Sequence, residues 1–129
     1  MKKRIIEMDV AALIQSWKKE PEFVRRVGMV LSHHGMVRGT RRSDGKSVTR
    51  LVVTPDQERI EALRCEYEQY PGIYRIAVDA HEGSLEPGDP LLELVVAGDI
   101  REHVKPVLAE LLDRIKAEGV KKEESVVAE

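Results

Sequence analysis

The 129 residues contain a single cysteine, Cys65. No internal disulfide can form, which is consistent with a chain working in a reducing cytosol. There is no CxxC pair and no HExxH motif, so no metal site is expected. Neither sign of charge dominates: 21 Lys and Arg face 23 Asp and Glu, a formal net of −2. Nucleic-acid and membrane-surface binders want a net basic face, so neither partner is expected. The longest apolar run is far short of the roughly 20 residues that cross a bilayer. The opening MKKRIIEMDVAAL has acidic residues inside what would be the apolar part of a signal peptide, which points to a cytoplasmic chain. No repeat or low-complexity linker divides the sequence. One domain over residues 1–129 is expected, with 1–8 as an N-terminal arm and 125–129 as a fraying tail.

The most informative stretch is Ser84–Glu123. Glu86-Pro87-Gly88-Asp89 reads as a turn, because Pro sets its own φ and Gly accepts a positive one. Leu91, Leu92, Leu94, Val95 and Val96 form a short apolar run that suits a buried strand. Gly98-Asp99 breaks it, with Asp99 as the expected cap of the next helix. In that helix Val104, Val107, Leu108, Leu111, Leu112 and Ile115 make one apolar stripe. Pro106 implies a kinked first turn or a regular helix that starts near His103. Gly119 is the expected C′ residue. Lys116 lies one turn before the end, and Lys121 and Lys122 follow it. The three lysines, a strand end and a helix start are expected to converge on one anion-sized region.

Upstream, Asp9 is the expected cap of a helix with Ala11, Leu13, Ile14 and Trp17 as apolar members, ended by Lys18–Pro21. Arg26–Arg38 reads as a strand, in which Gly28 and Gly35 mark a bulge or a close backbone approach. Asp44-Gly45 is a hairpin-type turn leading to a return strand over Val48–Thr54. Thr54 and Pro55 open a helix to about Gln69, with Ile60, Leu63 and Tyr67 inside. Pro71-Gly72 stops it, Ile73–Ala80 is a strand, and Val120–Val127 is a last strand. This order predicts an α+β fold: an antiparallel or mixed sheet in a split βαβ, ferredoxin-like arrangement, with helices packed on one face.

Four blocks in this order resemble the MoaE family, the large, catalytic subunit of molybdopterin synthase. They are Gly35-Met36-Val37-Arg38, Gly83-Ser84-Leu85-Glu86-Pro87-Gly88-Asp89, Ile100-Arg101, and Ile115-Lys116 followed by Val120-Lys121-Lys122-Glu123. The likeness covers roughly residues 9–124 and rests on order and spacing. It implies a MoaE-like α/β hammerhead and a role in molybdenum cofactor biosynthesis. The implied reaction passes sulfur from the C-terminal thiocarboxylate of a small ubiquitin-like carrier, on a Gly-Gly tail, to a cyclic pyranopterin monophosphate. The product is the dithiolene of molybdopterin. The resemblance also implies a homodimer, with no cofactor and no metal of its own. Lys116 and Lys121 correspond to active-site lysines; Arg38 and Arg101 correspond to anion-binding arginines, with Lys122 beside them. The family's His before Arg is Ile100 here, its Trp is Val120, its common Phe is His33, and its His-Arg pair is Ala80-His81.

Two anionic reactants meet in one pocket only if cations offset their repulsion, which is the chemical reason for such a set. Arg grips phosphate through a planar fork, and Lys supplies a mobile charge. Blander readings stand beside this one. Lysines are favoured near a helix C-terminus by its dipole. Arg38 has Glu82 as an alternative partner. Arg41, Arg42 and Lys46 read as a solvated loop or as a lid over phosphate. His33 and His34 point to opposite strand faces, and Cys65 reads as buried filler. The rival functions are a non-catalytic MoaE-like paralogue that binds a pterin, an anion or a partner protein, and an unrelated ferredoxin-like sensing or oligomerisation module.

Overall fold

The computed structural model describes residues 7–126. Most of the expected N-terminal arm and the last three residues of the tail lie outside that range. In chain order the elements are α1 (Val10–Trp17), α2 (Pro21–Arg26), β1 (Met29–Met36), β2 (Val48–Pro55) and α3 (Gln57–Glu68). They continue with β3 (Ile73–Ala80), β4 (Gly83–Leu85), β5 (Pro90–Gly98), α4 (Arg101–Glu118) and β6 (Val120–Val126).

Most element ends follow local chemistry. Asp9 caps α1 by accepting from the Ala12 N–H at 3.0 Å. The break after α1 is short, because Pro21 starts a further helix that the sequence reading missed. Proline suits a first turn, where its missing N–H has no intrahelical partner. At α3 the cap is Asp56, not Thr54, and its carboxylate accepts from the Arg59 N–H at 3.0 Å; Pro55 closes β2 instead. At α4 the N-cap is Ile100, with no side-chain bond. Asp99 accepts instead from the Ile100 N–H at 2.7 Å and from His103 Nδ1 at 2.8 Å. The helix starts at Arg101 and carries Pro106 inside it, and Gly119 ends it in an ordinary right-handed conformation, φ −115°.

The α+β class is as expected, but the arrangement within it differs. There are two three-stranded sheets, ordered β1-β5-β3 and β4-β2-β6. Every strand pairing among the described residues is antiparallel. No split βαβ forms, because α3 and α4 each carry the chain from a strand of one sheet to a strand of the other. The Asp44-Gly45 turn is present, with Gly45 at φ +74°, and a single antiparallel bridge, Thr40 with Ser47, flanks it, yet it does not make β1 and β2 sheet neighbours. β1 pairs with β5, while β2 pairs with β4 and β6.

Helices also cover both faces of the first sheet, not one. β5 alternates between two cores. Leu92, Leu94 and Val96 meet Val104, Val107, Leu111 and Ile115 of α4 together with Leu63 and Tyr67 of α3. Val95 and Ala97 meet Trp17 and Phe23 on the other side. A strand buried on both faces has no polar register to keep, which is why its sequence reads as a continuous apolar run. One charge interrupts it. Glu93, 1% exposed, accepts from the Met8 N–H at 3.1 Å, His81 Nε2 at 2.9 Å and His34 Nδ1 at 3.2 Å. Burial pushes its carboxyl up, but these hydrogen bonds together hold it below the ordinary glutamate value.

Close backbone approaches are built with glycine. A Cβ on Gly28 would stand 2.2 Å from the Asp99 carbonyl oxygen. Cys65 is exposed on α3, not buried filler. No helix among the described residues is long and apolar enough to cross a membrane.

Candidate active site

A third core, Val37, Leu51, Val53 and Leu85, lies against β2 and β4. Beside it, where both sheets meet the last turns of α4, is a cavity of about 290 Å³. Its apolar wall includes Leu51, Val53, Leu92 and Val120. Its charged groups are Arg38, Arg42, Lys116 and Lys122, against one carboxylate, Glu124, with His33 beside them.

Each cation is placed by a separate piece of the fold. Arg38 follows Val37, whose N–H donates to the Asp89 carbonyl at 2.9 Å and whose carbonyl accepts from the Gly88 N–H at 2.8 Å. Gly88, at φ +90°, makes that turn possible, and buried Leu85 anchors its approach. On the other side the Gly39 carbonyl accepts from the Val48 N–H at 2.9 Å. Lys116 follows the fully buried Ile115 in the last turn of α4, so its side chain leaves the core at the cavity edge.

Lys122 is placed by strand register. β6 pairs with β2 so that Lys122 stands opposite Val53 and Glu124 opposite Leu51, while Lys121 stands opposite Thr54. Val53 and Leu51 face the cavity and Thr54 is exposed. Partners across a ladder share a face, so Lys122 and Glu124 join the lining and Lys121 turns away. The start of β6 is held by the Asp56 N–H, which donates to the Gly119 carbonyl at 2.7 Å. A Cβ on Gly119 would stand 2.8 Å from Ile60 Cγ1, so this junction is tight.

Of the five residues singled out in the sequence, Arg38, Lys116 and Lys122 share the cavity; Lys121 and Arg101 do not line it. Arg101 begins α4 and Lys116 lies near its end, about 22 Å apart along the axis by helical rise. Arg101 is largely exposed and contacts Glu102 at 3.4 Å. Arg42, from the basic loop, joins the lining, while its neighbour Arg41 pairs with Asp44. Sequence reading offered Arg42 only as part of a solvated loop or a lid over phosphate, and it did not place His33 in the cavity. The available signal for His33 was its i, i+2 spacing from Gly35 on β1.

The electrostatics of the cavity differ from those of the rest of the surface. Elsewhere the arginines are largely matched: Arg25 with Glu22, Arg59 with Glu118, Arg64 with Glu61 and Glu68, Arg75 with Glu20, and Arg114 with Glu66. Among the described residues Arg38, Arg42, Lys116 and Lys122 form no ion pair. Crowding, and then the charge of Lys116, lower the Lys122 ammonium from the ordinary lysine value, and Glu124 offsets this in part. Burial, and then the charges of Lys116 and His34, likewise lower His33. A region where cations depress one another's protonation favours an incoming anion.

One group has the composition of a metal site. Ligand atoms of Asp79, His81 and Glu93 lie within 4.8 Å of one another. Both Glu93 oxygens are already engaged by Met8, His81 and His34. Glu93 and His81 are thus tied together by hydrogen bonds, while the Asp79 carboxylate stands 3.7 Å from His81 Nε2 and is half exposed.

The MoaE protein family model matches residues 6–118. The chain belongs to the MoaE family. That family forms the catalytic subunit of molybdopterin synthase and acts in molybdenum cofactor biosynthesis. MoaE-type structures share the fold at low identity. Molybdopterin synthase from Staphylococcus aureus superposes with TM-score 0.71 at 17% identity, covering 89% of this chain and 85% of that one. Molybdopterin cofactor biosynthesis protein E from Burkholderia multivorans gives TM-score 0.71 at 20% identity, covering 95% and 84%. A complex of subunits 1 and 2 of the molybdopterin-converting factor from Helicobacter pylori gives 0.66 at 14%, covering 92% and 80%. Among curated proteins no match is found. Membership of the MoaE family removes the unrelated ferredoxin-like module as a reading.

Proposed function

We propose that this MoaE chain works as the large subunit of a molybdopterin synthase. It receives the thiocarboxylate tail of a small carrier and passes the sulfur to a cyclic pyranopterin monophosphate. The observation that carries this is the meeting of four cations without ion pairs in one cavity of about 290 Å³, in a chain whose net charge is −2. In this reading Arg38 and Arg42 hold the phosphate, and Lys116 and Lys122 hold the thiocarboxylate and the charge that develops as sulfur leaves. Lys122, and not Lys121, carries this role; its pairing opposite Val53 and its place in the lining support that choice.

The partner is a small ubiquitin-like protein ending in Gly-Gly, in keeping with the two-subunit complex of the Helicobacter pylori relative. Met36, 60% exposed and part of the lining, offers apolar surface where such a tail enters. Arg101 reaches a cavity only across a homodimer, in which it serves the site of the second copy. The chain works in the cytoplasm.

The test is product formation from thiocarboxylated partner and pterin precursor, with wild type, Lys116→Ala and Lys122→Ala. Both variants are expected to stay folded and to lose product. Equal product from all three would sink the assignment of the cavity. A wild type that binds partner and precursor without turnover would mark a non-catalytic paralogue, a reading that Ile100 in place of the family's His favours.

A further inference from the structure

β1 carries His33 and Gly35 past the cavity on the same side. A Cβ on Gly35 would stand 3.1 Å from His33 Nε2 and 3.3 Å from the Leu92 carbonyl oxygen. The missing side chain leaves room for the imidazole to lie along the strand at the cavity wall. Of the chain's 4 histidines, the other three each bond a carboxylate: His34 and His81 meet Glu93, and His103 meets Asp99. Among the described residues neither ring nitrogen of His33 has a hydrogen-bond partner.

The charged groups that share the cavity with His33 come from three directions. α4 supplies Lys116, β6 supplies Lys122 and Glu124, and the segment after β1 supplies Arg38 and Arg42. β2 and β5 present apolar side chains there, among them Leu51, Val53 and Leu92. His34 is adjacent in sequence but on the opposite face, against Glu93. With the ring half-buried in a cavity whose lining is mostly cationic, and with Lys116 acting on it directly, a positive charge on the imidazole is disfavoured while no anion is bound. Burial, and then the charge of Lys116, lower His33 from the ordinary imidazole value, which favours the neutral ring while the cavity is empty. An oxyanion that enters beside Lys116 reverses the local field and offers the ring an acceptor.

We propose that His33 is a proton-coupled anion contact: it takes a proton from solvent when an oxyanion enters the cavity, and the imidazolium then donates a hydrogen bond to that anion. The proposal rests on the reading of the cavity as the anion site. The oxyanion is either the phosphate of the substrate or the terminal carboxylate of the carrier's tail.

The experiment is an NMR pH titration of the His33 ring in the full chain at constant ionic strength. It is run in chloride, in sulfate, and with acetyl-Gly-Gly carboxylate; His33→Phe assigns the signal. Sulfate stands in for phosphate and does not itself titrate near neutrality. A rise of about 0.5 or more in the His33 pKa is expected with an occupied cavity, and side-chain signals of Arg38 and Lys116 report occupancy. A rise with sulfate alone assigns the phosphate, a rise with acetyl-Gly-Gly alone assigns the tail, and a rise with both assigns a contact open to either. Movement of the Arg38 and Lys116 signals with an unchanged His33 pKa overturns the proposal and leaves the cavity reading standing. No response from any of the three residues overturns both.

Discussion

Lys116 at the end of α4 and Lys122 on β6 face one cavity from two different elements, and the charge of the first lowers the proton affinity of the second. A tight turn at Gly119 separates them in the chain. Ile115, with no exposed surface, and Gly119, packed close to Ile60, anchor the chain between them.

Lysine identity on β6 is open to mutation. Lys122→Ala is expected to cut synthase turnover by about 10²-fold or more, the scale of losing one charge-stabilising donor. Lys121→Ala, on the other face of the strand, is expected to leave turnover within about threefold, since surface changes are mostly mild. The reverse pattern in steady-state rates would show that β6 pairs with β2 one residue out of the observed register.

Amine chemistry gives an independent reading of the same pair. Because crowding and Lys116 lower its ammonium, Lys122 holds a larger neutral fraction than an ordinary lysine at any given pH below the usual value of 10.5. Reductive methylation at pH 8, read by mass spectrometry, should therefore modify Lys122 ahead of Lys121. Lys116→Ala should narrow that difference. Equal rates for the two lysines in wild type would contradict the placement.

Acid should destabilise the fold through Glu93. Hydrogen bonds hold its folded carboxyl below the ordinary glutamate value of 4.5, so the stability it contributes is fully present above about 4.5 and falls as pH drops through the lower, folded value. Urea midpoints measured from pH 7 to pH 3 should decline at the acid end for wild type. The decline should be shallower for Glu93→Gln, which cannot ionise. Parallel curves for the two proteins would remove Glu93 from the acid response.

The glycine contacts and the α4 stripe set the cost of core changes. A Cβ on Gly98 would lie 2.6 Å from Val104 Cγ2 and 2.7 Å from the Gly72 carbonyl oxygen. Gly98→Ala should therefore destabilise by about 1–3 kcal/mol through overpacking. Leu111→Ala, at a position with no exposed surface, should cost about 2–5 kcal/mol. Denaturant unfolding at fixed pH checks both, and a change below about 0.5 kcal/mol in either would mean that the core relaxes around the site.

Local chemistry written in the sequence determined most of the elements, α2 and β4 excepted, and one face of many of them. Asp9 caps α1, Gly88 turns the chain before β5, and Val104, Val107, Leu111 and Ile115 bury one stripe, because capping, turn conformation and helical period act over a few residues. The motif blocks also singled out Arg38 and Lys116, which line the cavity. Which strands became neighbours was decided only by the tertiary structure. Asp44-Gly45 looks like a hairpin whether or not β1 and β2 pair, and a helix between two strands does not say that they share a sheet. The choice of Lys122 over Lys121 depends on the register of β6 against β2, where a shift of one residue exchanges the two faces. That register is held by contacts between segments far apart in the chain, such as Asp56 with Gly119 and Val53 with Lys122, and no local pattern encodes them.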